Sequence, residues 1–75
     1  MYIGVMQSES KEWVALGNTE EEVLEAIRRK WNKEQRIMKQ NGWINREYIY
    51  AKVDDLNDDY GVSIYELNPG ECDYM

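Results

Sequence analysis

The stretch Trp13-Val14-Ala15-Leu16-Gly17-Asn18-Thr19-Glu20-Glu21-Glu22-Val23-Leu24 decides the fold. Its apolar run, Trp13 to Leu16, is bounded by Gly17-Asn18, which is how a strand ends in a turn. Thr19 stands three residues before Glu22, the spacing at which a threonine hydroxyl and a glutamate carboxylate cap the backbone N–H groups of a helix start. A helix is therefore predicted from Glu20. Beyond it Val23, Leu24, Ile27, Trp31 and Met38 recur at three-, four- and seven-residue steps, with Gln35 or Glu34 at the gap, drawing one core-facing stripe. Asn41-Gly42 supplies a left-handed stop, so the helix spans about 20 residues and roughly 30 Å.

Upstream, Tyr2 to Met6 and Glu12 to Leu16 are strand-like, and the polar link Gln7 to Lys11 makes them a hairpin. Downstream, Glu47 to Val53 alternates, which predicts a third strand with Ile49, Ala51 and Val53 buried and Tyr48, Tyr50 and Lys52 on the opposite face. The acidic link Asp54 to Asp59 leads to a fourth strand, Tyr60 to Leu67, which Asn68-Pro69-Gly70 terminates. The order β-β-α-β-β implies an α+β fold: a two-layer domain with an antiparallel sheet of about four strands and one long amphipathic helix on one face. One helix covers one face only, so the other is open, lined in part by Tyr48 and Tyr50. The whole chain, 1–75, reads as a single small domain with 71–75 a frayed tail.

With 43% hydrophobic and 12% aromatic residues the chain is too apolar for the disordered class. No apolar run approaches the roughly 20 residues of a membrane span, and Met1-Tyr2-Ile3-Gly4 lacks the basic start of a signal peptide; a cytoplasmic protein with no membrane contact is expected. The absence of histidine removes the commonest general base and zinc ligand. The lone Cys72 cannot form an internal disulfide, and its neighbours Glu71 and Asp73 disfavour the thiolate. No enzyme chemistry, metal or cofactor is expected.

Charge is laid out in three blocks. Residues 1–27 sum to −5, residues 28–52 to +6 and residues 53–75 to −7, giving the net −6. Acids at the helix start followed by bases suit the helix dipole, which accounts for the first boundary. Asp55, Asn57, Asp59 and Glu66 match calcium-loop positions, but Tyr60 stands where that loop needs glycine, so no metal site is assigned. The run Arg28-Arg29-Lys30 could contact phosphate, yet the two acidic blocks and a pI near 4.5 repel a polyanion, so nucleic acid is disfavoured as a partner. The acids invite the converse. Asp54, Asp55, Asp58 and Asp59 lie within six residues, dense enough to imitate the phosphate spacing of a duplex. The expected role is a small non-catalytic inhibitor that masks a basic, nucleic-acid-handling protein. Its partner-binding residues would be those four aspartates, Tyr60, Glu9, Glu12, Tyr48 and Tyr50, with tyrosines anchoring what the carboxylates steer. The alternatives are a homodimer or other homo-oligomeric module built on the open sheet face, and a weak nucleic-acid binder working through the basic helix.

The segment Trp13 to Glu22, followed by an amphipathic helix, resembles the strand, Gly-x-Thr turn and acidic helix start of HicB-like antitoxin domains over about the first 30 residues. The resemblance implies a protein that binds and masks a small basic toxin. One hairpin before the helix and no separate DNA-binding segment after it depart from that pattern.

Overall fold

The computed structural model describes residues 1–8 and 11–68. They form an α+β fold in the order β1 (Tyr2–Ser8), β2 (Lys11–Gly17), α1 (Glu20–Gln40), α2 (Val53–Tyr60) and β3 (Ser63–Glu66). The sheet is antiparallel with β1 in the middle, flanked by β2 and β3.

The hairpin runs further than its apolar residues suggest. β1 and β2 pair from Tyr2 opposite Gly17 to Ser8 opposite Lys11, so the polar residues Gln7, Ser8 and Lys11 belong to strands. A buried polar contact holds that end: the indole N–H of Trp13 donates to Ser8 Oγ at 2.8 Å. Strand periodicity turns Gly4, Met6, Ser8 and Trp13 toward α1. Gly4 is required there because a Cβ at that position would lie 2.1 Å from Val23 Cγ1. Helix and sheet approach to a distance that no other residue allows.

α1 has the cap its sequence promises. Thr19 Oγ1 accepts from the Glu22 N–H at 3.1 Å, and the Glu22 carboxylate reaches back to the N–H of Asn18 at 2.7 Å, one residue beyond the usual capping-box partner. At the other end the N–H of Trp43 donates to Met38 and that of Gly42 to Lys39, with Gly42 at φ 75°, a Schellman stop. Val23, Ile27 and Trp31 join Met6, Trp13 and Leu56 in the core, while Leu24 and Met38 are only half-buried.

The C-terminal half departs from expectation. The sheet has three strands among the described residues, because Glu47 to Val53 forms none; the backbone groups of Tyr48 and Tyr50 are bonded to α1 side chains instead. The expected faces hold only in part: Tyr48 and Lys52 are exposed and Val53 half-buried as read, but Tyr50 packs against the core, whereas Ala51 is exposed and Ile49 is 41% exposed. The acidic link is not a loop. Val53, Leu56 and Tyr60 stand at helical spacing, and Leu56 is fully buried, so residues 53–60 gain more as a helix that delivers this stripe to the core than as a turn. Gly61, at φ 72°, ends that helix with its N–H on Asn57 O, and Asn57 Oδ1 accepts from Val62 N–H at 2.8 Å. The last strand consequently begins at Ser63 rather than Tyr60. The expected tail at 71–75 and Cys72 lie outside the described residues.

Candidate functional site

The buried face of α1 is not wholly apolar: Asn32 and Gln35 sit on it, 5% and 7% exposed. Their partners explain them. The Asn32 amide accepts from Tyr50 N–H and donates to Tyr50 O, both at 2.9 Å, as a neighbouring strand would. Gln35 Oε1 accepts from Tyr48 N–H at 3.2 Å, and the Trp31 indole N–H donates to Tyr48 O at 2.8 Å. Arg28 adds a second donor to Tyr50 O at 2.8 Å. Residues one helical turn apart on α1 thus serve alternate residues of this segment, and no buried side-chain polar atom among the described residues lacks a partner.

This tether brings aromatic rings together. Trp31 lies 5.6 Å from Trp13, 5.8 Å from Tyr50 and 5.0 Å from Tyr60, all tilted. Tyr50 donates its hydroxyl to Asp59 Oδ2 at 2.7 Å; burial and then that carboxylate push the phenol well above its ordinary value. Tyr48, by contrast, is 62% exposed, with the Arg46 guanidinium 5.9 Å from its ring centre.

α2 presents the acids. At 100° per residue Asp54, Asp55, Asp58 and Asp59 spread over an arc of roughly 140° opposite the Val53, Leu56 and Tyr60 stripe. All four are exposed, and α2 carries no base. Asp54 and Asp55 suit the helix N-terminus, but Asp58 and Asp59 lie near the opposite end and each stands four residues from another aspartate, an arrangement that costs roughly 0.2–0.5 kcal/mol per like-charged pair. The helix holds this charge because Leu56 and its aromatic neighbours anchor the other side.

No protein-family model, curated protein or solved structure matches this chain.

Among the expected contact residues, Asp59, Tyr50, Tyr60 and Tyr48 converge at one end of α2, with Asp54, Asp55 and Asp58 further along the same helix. Glu12 is separate, on the sheet face turned away from α1, where it lines a different hollow with Gln7 and Tyr60. Glu9 lies outside the described residues. That outer sheet face carries Ile3, Val5, Val14, Leu16 and Tyr65, with Val14 60% and Leu16 61% exposed. Tyr48 and Tyr50 take no part in it.

The basic face of α1 is partly neutralised within the helix. Glu25 binds both Arg28 and Arg29, and Lys30 meets Glu34 at 3.1 Å. The hydrogen bond from Arg28 lowers the Glu25 carboxyl to about 2 against burial that raises it, with the Arg29 hydrogen bond and the charges of both arginines adding to the fall. No helix among the described residues is long and apolar enough to cross a membrane, and no group of three or more metal-ligating side chains occurs among them.

Sequence reasoning missed Asn32, Gln35 and Arg28 as the tether. The available signal was the pair of amides interrupting the apolar stripe of α1, since a buried amide requires a partner.

Proposed function

We propose that this protein is a non-catalytic binding module that masks a basic surface of a nucleic-acid-handling protein, with α2 as its contact element. The observation that carries this reading is the unbroken carboxylate face of Asp54, Asp55, Asp58 and Asp59 beside the exposed ring edge of Tyr60. Like charges held four residues apart on a helix repel, and a cationic partner converts that repulsion into attraction on binding. Long-range attraction steers the encounter; Tyr60 and Tyr48, 37% and 62% exposed, offer rigid area for the close contact. In a two-layer arrangement, with α1 on one sheet face, this edge of the molecule is uncovered. The HicB-like resemblance of the first 30 residues agrees in kind, as those domains mask small basic toxins.

The test is capture from the native host by the wild-type chain and by a variant with all four α2 aspartates changed to Asn. The captured protein is then titrated against duplex DNA. The expected outcome is a partner that the wild type holds, the variant releases, and DNA displaces; equal binding by the two chains removes the basis of the proposal.

A second reading is self-association through the outer sheet face, favoured by Val14 and Leu16 standing exposed beside Ile3, Val5 and Tyr65. Sedimentation at several concentrations tests it: a monomer throughout excludes it, and an associating wild type must lose association as Leu16→Glu.

A further inference from the structure

Between the hairpin, α1 and the tethered segment lies a cavity of about 310 Å³, walled by Trp13, Trp31, Tyr48, Tyr50 and Tyr60. Its size falls at the lower end of the range for small-molecule sites, which are mostly apolar with a few converging polar groups. Its rings are in tilted contact, Trp31 5.0 Å from Tyr60 at 47° and 5.6 Å from Trp13 at 49°, and together they form an aromatic wall against which a flat guest can pack.

Both indole N–H groups are committed, Trp13 to Ser8 Oγ and Trp31 to Tyr48 O, and Gln35 Oε1 is committed to the Tyr48 N–H. What these commitments leave to face a guest are the Gln35 amide NH₂ and the Lys11 ammonium, which only donate, and the hydroxyls of Ser8, Tyr48 and Tyr60, which donate or accept. Lys11 is also the one charged side chain of the lining, in a chain whose net charge is −6. A cationic guest would face the ammonium, and a bare hydrocarbon would leave the donors unmatched.

We infer that this cavity binds a planar aromatic carboxylate, its ring packed against the wall of Trp31, Trp13 and Tyr60 and its carboxylate toward Lys11. None of the four α2 aspartates lines the cavity, although Asp59 accepts from the hydroxyl of Tyr50 in its wall.

The three tryptophans make the test specific. Trp13 and Trp31 wall the cavity, whereas Trp43, 71% exposed, is not part of the lining and serves as an internal reference. The indole N–H resonances of the intact chain are followed by ¹H–¹⁵N NMR during titration with 2-naphthoate, 2-naphthamide and 2-naphthylmethylammonium. Naphthoate is expected to shift the Trp13 and Trp31 signals saturably while Trp43 stays still, with naphthamide about fivefold weaker and the ammonium giving no saturable shift. Lys11 is exposed, so Lys11→Gln leaves the fold intact; it is expected to weaken naphthoate about fivefold and leave naphthamide unchanged. The inference is overturned if no indole signal moves, if all three move together, if the ammonium binds as tightly as the carboxylate, or if Lys11→Gln does not affect naphthoate.

Discussion

The hairpin strand β1 and the segment Tyr48 to Tyr50 both pack beside α1, yet their backbones are bonded by different means. β1 exchanges hydrogen bonds with strands on both sides. Tyr48 and Tyr50 exchange theirs with Trp31, Asn32, Gln35 and Arg28, all on one helix. Backbone groups taken out of water need donors and acceptors, and amides spaced along a helix meet that need as well as a strand does. The two solutions differ in what fails when one residue changes. A ladder spreads its loss over many bonds, whereas the tether concentrates it in a few side chains.

The largest effect is expected at Asn32. Asn32→Leu keeps the branched shape but leaves Tyr50 N–H and part of its carbonyl without their partner, costing about 3 kcal/mol in urea unfolding. The same change at exposed Gln7 on β1, Gln7→Leu, is expected to stay within about 0.5 kcal/mol. Equal losses at the two sites would dissolve the contrast.

Packing should dominate on the hairpin side. Gly4→Ala drives a Cβ into Val23 and is expected to cost about 2 kcal/mol, with Val23→Ala in the same chain recovering about 1 kcal/mol relative to the sum of the single changes. A purely additive double-mutant cycle would show that helix and sheet are not in contact there.

The next effect separates the halves by pH. Glu25 is lowered to about 2 from an ordinary 4.5, so its folded state prefers the carboxylate: the stabilisation is present above pH 4.5 and is lost as pH falls toward 2. Tyr50 is shifted the other way, so its contribution is complete below pH 10 and declines above it. Unfolding midpoints against pH should lose their acid slope as Glu25→Gln and their alkaline slope as Tyr50→Phe, each leaving the other slope unchanged.

The smallest effect lies on α2. Asp58→Asn removes a like-charged neighbour of Asp54 at the unfavourable helix end and should stabilise the chain by about 0.3–0.5 kcal/mol at low salt. The gain should vanish at 1 M salt, where charges are screened within about 3 Å.

Residues 1–42 were largely legible because their signals are local. The Thr19 cap, the Gly42 stop and the alternation around Trp13 each need neighbours only a few residues away, and all are found as read. Only the hairpin tip was drawn too wide, since polar strand residues such as Gln7 and Lys11 carry no apolar mark. In residues 43–68 the local signals misled. Alternation in Glu47 to Val53 announced a strand that does not form, because the backbone of Tyr48 and Tyr50 is bonded by α1 side chains rather than by a neighbouring strand. In α2 the Val53, Leu56 and Tyr60 spacing competed with repelling aspartates and with Lys52, which provides no side-chain cap.

The same division holds for the candidate site. Asp54, Asp55, Asp58 and Asp59 were evident as a dense acidic run, and their number and spacing in the chain follow from sequence alone. Their display on one helix face, the bond from Tyr50 to Asp59 and the aromatic cavity do not. Sequence by itself determined the hairpin, the long capped helix and the charge blocks, because backbone periodicity and capping are short-range chemistry. Tertiary structure decided that the segment Tyr48 to Tyr50 joins a helix and that the acids ride on another. Buried amides and unpaired backbone groups select partners 13 to 22 residues away, a choice no local pattern encodes.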